Sequence, residues 1–151
     1  MSKLMLDLCS GTKSASAAFR DAGWDVLTVD NDPALEPDEV RDVREFAKLP
    51  VITALKGIPF IWASPPCTEF ARESMPWSRT GKIPDMSIVQ ACIDIIQTIN
   101  PTYWCIENVR GAVHYFEPLI GRPREIVGPY FLWGNFPPLP KIDMRGWRKK
   151  E

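Results

Sequence analysis

The chain has 151 residues, 45% of them hydrophobic and 25% charged, with a formal net charge of −1. This is ordinary globular usage, which excludes a disordered or fibrous chain, and the near-neutral charge means that any firm hold on nucleic acid must come from a local basic surface. The length suits a single domain over residues 1–151; no apolar run reaches the roughly 20 residues of a membrane helix, and Asp7 interrupts the start too early for a signal peptide, so a cytoplasmic location without membrane contact is expected.

Taken in chain order, residues 3–8 form a short apolar run that ends at Cys9-Ser10-Gly11, the pattern of a buried strand entering a tight turn. Ser14 is placed to cap a helix reaching about Gly23, with Ala15, Ala18, Phe19 and Ala22 at helical spacing. Residues 24–30 read as a second strand with Asp30 at its carboxyl end. The acidic, proline-interrupted residues 31–43 read as loop, and a weak helical signal over 44–56 is broken by Pro50. Residues 60–64 are a strand stopped by Pro65-Pro66, which cannot donate to a sheet ladder. Residues 67–84, rich in Pro, Ser, Arg and Gly, read as one long functional loop. Ile88, Cys92, Ile95, Ile96 and Ile99 recur at the helical period and predict a helix from Asp85 to about Asn100. Residues 103–107 form a strand ending at Glu107, Asn108-Val109-Arg110-Gly111 turns away from it, and 130–133 form the last strand. Beyond Gly134 come three prolines and a basic tail over 145–150.

Strands alternating with helices predict an α/β fold, Rossmann-like, with a mainly parallel sheet and helices on both faces. Ligands of such sheets bind outside the carboxyl ends of the strands, where Ser10, Asp30, Cys67 and Glu107 all fall. The Asp7–Ser14 turn can present backbone N–H groups to a polar ligand, with Asp30 one strand over for a ribose; a purely structural strand-to-helix turn fits the same residues equally well. Of Cys9, Cys67, Cys92 and Cys105, none has CxxC spacing, and His114 is the sole histidine, so no metal site is expected. Cys67 differs from the other three because two prolines present it at a strand mouth, with Arg72 and Arg79 near in sequence; the others read as small buried hydrophobes. Glu107, on the neighbouring strand, is placed to donate a proton or hydrogen bond to a ring nitrogen, or alternatively to cap or pair as a structural carboxylate.

Together, Asp7-Leu8-Cys9-Ser10-Gly11, Ser64-Pro65-Pro66-Cys67 and Glu107-Asn108-Val109 resemble the cofactor, nucleophile and acid motifs of the DNA cytosine-C5 methyltransferases, over about residues 3–111. The wording is similar to that of small phage-like members without a target-recognition domain. The resemblance implies a Rossmann-like methyltransferase fold that binds S-adenosylmethionine and methylates carbon 5 of cytosine in single- or double-stranded DNA. By the same resemblance Cys67 is the nucleophile at cytosine carbon 6, Glu107 stabilises the intermediate at ring nitrogen 3, and Pro66 and Asn108 complete the catalytic set. Asp30 would bind the cofactor ribose, Asp42 and Val43 the adenine edge, and the Ser10-Gly11-Thr12-Lys13 turn the methionine part, with Asp7 and Ser64 adjoining. Arg72 and Arg79, with Lys82, would meet phosphates as the 67–84 loop closes over a flipped base. Arg110 and a reduced arginine motif, Arg122-Pro123-Arg124, would complete the substrate contacts.

The chain departs from the family at particular places. Lys13 stands where a second glycine is usual, and Cys9 and Asn31 occupy places where aromatic residues commonly sandwich the adenine. The family's glutamine-and-arginine motif, recognition domain and closing helix have no evident counterpart, so short or absent sequence choice is expected. RNA, a free cytosine nucleotide, or a non-catalytic cofactor- or nucleic-acid-binding role are the competing readings. A homodimer could cover apolar surface left by Trp104, Trp133 and Trp147, although tryptophans at such places belong more often to the core.

Overall fold

Apolar residues alternating along short runs settle into strands whose two faces are packed differently. A computed structural model of the chain describes residues 3–139. Its strands β1 (Leu4–Leu8), β2 (Asp25–Asp30), β3 (Glu39–Val40), β4 (Phe60–Ala63), β5 (Tyr103–Asn108), β6 (Glu125–Val127) and β7 (Tyr130–Asn135) form one sheet in the order β3-β2-β1-β4-β5-β7-β6. The first five are mutually parallel, while β7 runs antiparallel to β5 and β6 antiparallel to β7.

The helices are α1 (Ser14–Asp21), α2 (Val43–Phe46), α3 (Val51–Ala54), α4 (Thr68–Ser74), α5 (Ser87–Ile99) and α6 (Val113–Ile120). One face of the sheet, through Leu6, Leu8, Val29, Ile61, Ala63, Ile106 and Trp133, shares the main core with α2 to α6. On the other face α1 lays Phe19 against Trp24 and Phe60, with ring centroids 5.1 and 5.2 Å apart. Beside α1 that face is open over β4, β5 and β7.

Pro50 does break the 44–56 signal, leaving α2 and α3 as separate single turns that pack on α5. The expected 67–84 loop begins instead as a helix: α4 is only seven residues long and mostly polar, but its Phe70 is buried against Tyr115 and Phe116 at 5.6 and 5.3 Å. Helix α6 escaped the sequence reading because Pro118 lies inside it, a residue that ordinarily argues against a helix interior. Helix α1 starts at Ser14, yet its cap is Lys13, which makes no side-chain capping bond. Two of the three tryptophans weighed between interface and core lie with the core. Trp133 is fully buried, 4.8 Å from Phe116, and Trp104 is half-buried against the main core. Trp147 and the basic tail lie outside the described residues.

Candidate functional site

The β1–α1 turn is built from left-handed backbone. Cys9, Gly11 and Lys13 have φ of 55°, 52° and 64°, and the last explains why glycine is the easier residue at the Lys13 position. Two bonds hold the turn to β2: Ser10 N–H donates to Val29 O (3.1 Å), and Gly11 N–H donates to Asp30 Oδ2 (2.9 Å). Asp30 also accepts from Asp32 N–H at 2.9 Å, so it organises the turn while keeping carboxylate lone pairs for a ligand. Lys13 reaches across to donate to Glu36 O at 2.5 Å, and Thr12 Oγ1 lies 3.0 Å from Ser14 Oγ.

Beneath the turn are buried oxygens without a hydrogen-bond partner: both carboxylate oxygens of Asp7 and the hydroxyl of Ser10. Loss of hydration pushes the Asp7 pKa up to about 7, the nearby Ser16 hydroxyl opposing and Asp30 reinforcing the shift. Ser16 itself is committed to the backbone, donating to Lys13 O at 3.2 Å.

From this turn a narrow slot runs between β2 and α5, lined by Cys9, Asp30, Asn31, Asp42, Val43 and Pro66 among others. Cys9 also hydrogen-bonds Cys92 of α5, and this bond together with burial pushes the Cys92 thiol well above its usual range. Asp42 caps α2, accepting from Arg44 N–H at 2.8 Å, and pairs with the Arg44 guanidinium at 3.0 and 2.7 Å. That pairing holds its carboxyl below the ordinary value. Val43 is buried in the slot wall.

On the other side of the turn a cavity of about 420 Å³ opens on the bare face of the sheet, lined by Ser14, Ala15, Trp62, Ser64, Glu107, Val127, Tyr130, Leu132 and Leu139. Glu107 enters it from the end of β5, and removal from water raises its carboxyl pKa, with the Ser64 hydroxyl pulling the other way. Trp62 Nε1 donates to Ser64 Oγ at 2.7 Å and fixes that hydroxyl.

Cys67 lies two prolines beyond Ser64, exposed, at the N-terminal cap of α4. Backbone N–H groups at that position favour negative charge nearby. The acid and cysteine motifs are tied together by Asn108. Fully buried, its Nδ2 donates to Pro65 O at 3.0 Å and its Oδ1 accepts from Val109 N–H at 2.9 Å. Gly111 tightens the same junction, because a Cβ there would stand 2.4 Å from Phe70 O and 2.9 Å from Ser74 Cβ. Only glycine lets α4 lie this close to the chain leaving β5.

The arginines do not gather around Cys67 and Glu107. Arg72 is paired with Glu73 at 2.6 Å, and Arg79 Nε donates to Glu73 O at 3.1 Å. Arg110 lines a wide cleft between α4, α6 and the β6–β7 hairpin. Arg122 pairs with Glu117 on α6 at 3.3 Å. Arg124 donates to Phe136 O at 2.8 Å with its guanidinium 5.3 Å from the Phe136 ring. Phe136 follows Asn135, the partner of Trp104 near the amino end of β5, so Arg124 is directed away from the carboxyl edge.

Several lining residues were missed by sequence reasoning. Trp62 carried a signal, since strand alternation puts it on the face of Ser64, and pairing aligns it with Cys105, two residues before Glu107. Tyr130, Val127 and Leu132 carried none, because the antiparallel hairpin that brings them there was not foreseen. Among the described residues no cluster of His, Cys, Asp and Glu could hold a metal ion, and no helix is long and apolar enough to cross a membrane.

No protein-family model matches the chain, and no curated protein matches it in sequence. Solved structures do match. A prophage-encoded E. coli protein assigned as a DNA modification methyltransferase superposes with a TM-score of 0.55 at 20% identity, over 89% of this chain and 47% of its own. A SAM-dependent methyltransferase from Agrobacterium tumefaciens gives 0.54 at 15% identity, over 80% and 44%. The 16S rRNA methylase RmtB gives 0.52 at 12% identity, over 89% and 55%. The chain therefore spans about half the length of each, and its fold is the Rossmann-like fold of the S-adenosylmethionine-dependent methyltransferases.

Proposed function

We propose that this chain binds S-adenosylmethionine and methylates carbon 5 of cytosine in DNA through a covalent Cys67 adduct, with residues 1–151 acting as one minimal catalytic domain. The observation that carries the reading is the junction made by Asn108. Its 3.0 Å bond to Pro65 O joins the turn presenting Cys67 to the strand presenting Glu107, so nucleophile and acid are held as one unit.

The cofactor reading is supported by the unsatisfied groups beside the β1–α1 turn. The buried oxygens of Asp7 and Ser10, which find no hydrogen-bond partner among the described residues, match a ligand carrying a cationic group and polar substituents. Asp30 at the adjoining strand end suits a ribose, and the slot past Asn31, Asp42 and Val43 suits an adenine edge. When bound, S-adenosylmethionine supplies an electrophilic methyl group.

For the base, Cys67 as thiolate adds to carbon 6, and the electrons of the carbon 5–carbon 6 double bond move to carbon 5, which becomes the nucleophile. Glu107, whose burial favours its protonated form, donates to ring nitrogen 3 and neutralises the charge that would otherwise build there. After methyl transfer a base removes the carbon 5 proton, the double bond re-forms, and the Cys67 thiolate leaves. Neither face of a cytosine stacked in a duplex is open to this attack, so the base must be unpaired or flipped. Arg79 and Arg110, which have no carboxylate partner among the described residues, belong to this reading as outer contacts to the nucleic acid, and a homodimer as a way to extend its surface.

Transfer of labelled methyl to duplex DNA, single-stranded DNA, RNA and cytosine nucleotides tests the proposal. Label at cytosine carbon 5 of DNA that vanishes in Cys67→Ala is expected. Full turnover by Cys67→Ala overturns the covalent mechanism, and label confined to RNA or nucleotides overturns the substrate assignment.

A further inference from the structure

Among the described residues, the indole most open to solvent is one that the sequence did not single out. Trp77 is 81% exposed, and the neighbouring Met75 and Ile83 are also exposed. Burying a large aromatic normally stabilises a fold by a few kcal/mol, so a tryptophan held in water contributes little to this one.

The segment that carries it is nevertheless firmly tied. Ser78 N–H and Arg79 N–H both donate to Met75 O, at 3.2 and 3.0 Å, closing a turn with Trp77 at its crest. Ser78 Oγ donates to Arg72 O at 2.8 Å, stitching the turn to α4. Glu73 completes the structure from within, accepting from Arg72 Nε (2.6 Å), Thr80 Oγ1 (2.5 Å) and Gly81 N–H (2.9 Å).

Charge points the same way. Residues 75–84 contain Arg79 and Lys82 and no acid. Glu73 is turned inward, and among the described residues no carboxylate pairs with Arg79 or Lys82. An exposed indole on a tied turn, followed within five residues by two cations without a carboxylate partner, is an arrangement suited to unpaired nucleobases, the ring stacking on a base and the cations meeting the adjoining phosphates. Its position suits such a role: α4, capped by Cys67 and about 10 Å long, separates the cysteine from the turn that carries Trp77, a span on the order of one or two nucleotides.

We infer that Trp77 is a stacking platform for an unpaired base of single-stranded DNA, one or two nucleotides from the cytosine at Cys67, with Arg79 and Lys82 holding the intervening backbone. This rests on the nucleic-acid reading of the Cys67 site and adds to it a preference for unstacked strands.

The test is fluorescence anisotropy of a short labelled, cytosine-containing single-stranded oligonucleotide at low salt with wild type, Trp77→Ala and Trp77→Phe, beside S-adenosylmethionine binding for each. Because the indole is exposed, neither variant removes core packing. Trp77→Ala is expected to weaken the oligonucleotide about tenfold and raise its KM in methyl transfer with kcat at saturation preserved; Trp77→Phe restores most of the affinity, and cofactor binding is unchanged in both. Equal oligonucleotide affinity in wild type and Trp77→Ala overturns the platform while leaving the proposed function intact. Absence of oligonucleotide binding by wild type that still binds cofactor overturns both. A Trp77→Ala effect confined to the oligomeric state, seen by sedimentation, overturns the platform in favour of a protein interface.

Discussion

The two halves of the carboxyl edge are made differently. Around the ends of β1 to β3 the more exposed carboxylates are engaged with the protein itself, while the buried oxygens of Asp7 and Ser10 are not: Asp30 holds Gly11, Asp42 caps α2 and pairs with Arg44, and Asp38 accepts from Thr28 N–H and Oγ1 at 2.9 and 3.0 Å. At the ends of β4 and β5 the chain instead leaves Cys67 exposed and Glu107 facing a cavity, and uses backbone-directed contacts from Asn108 and Gly111 to fix their positions. A binding surface can be preorganised by satisfying its groups, since a ligand needs only the lone pairs that remain. A reacting group must keep its reacting atom accessible, so much of its order comes from the scaffold beneath it.

The largest effect expected from breaking this contrast is on the reactive side. Glu107→Gln keeps the shape of the side chain but removes the proton donor, and turnover should fall by about 10²–10⁴ with S-adenosylmethionine affinity unchanged, measured by methyl transfer and calorimetry. Equal activity in this variant would assign Glu107 to structure. Next comes the junction between acid and nucleophile. Gly111→Ala must displace α4 from Phe70 O, so turnover should drop about tenfold or more, as displacements of this size cost elsewhere, while cofactor affinity stays near wild type; an unchanged kcat would show that α4 yields without moving Cys67.

The smallest effect on turnover is expected at Asp7, where the variant sharpens the comparison through stability. Its carboxyl is raised from 3.8 to about 7, so the folded state binds the proton more tightly than the unfolded chain. The stability linked to that proton is complete below about pH 3.8 and is lost as pH rises through about 7. Asp7→Asn removes the penalty. The variant should therefore match wild type in acid and exceed it increasingly towards pH 8, with a higher Tm in the free protein and a weaker hold on S-adenosylmethionine. A Tm difference independent of pH would mean that Asp7 finds a partner on folding.

Much of this was legible in the residues. Strands β1, β2, β4 and β5 and helix α5 announce themselves by apolar runs and helical spacing, and a parallel sheet then brings the residues at their carboxyl ends to one edge by geometry alone. The elements missed, β3, α4, α6 and β6, are short and interrupted by or flanked with proline, and they stand on tertiary contacts: β3 on β2, Phe70 on Tyr115 and Phe116, and β6 on β7. The arginines show the limit most clearly. Arg72 pairs with its immediate neighbour Glu73 and Arg122 with Glu117 five positions back, but nothing near Arg124 in the sequence points to the carbonyl of Phe136.

The sequence by itself determined the succession β1, α1, β2, β4, α5, β5 and β7, the placement of Asp30, Cys67 and Glu107 at or just beyond strand ends, and the tight turn after β1, because each depends on local periodicity or on residues adjacent in the chain. Only the tertiary structure decided which charges remain free, which face of the sheet stays open, that Gly111 must be glycine, and that Trp77 faces water. Those outcomes depend on side chains many residues apart competing for the same partners and the same space, and local pattern carries no record of who wins.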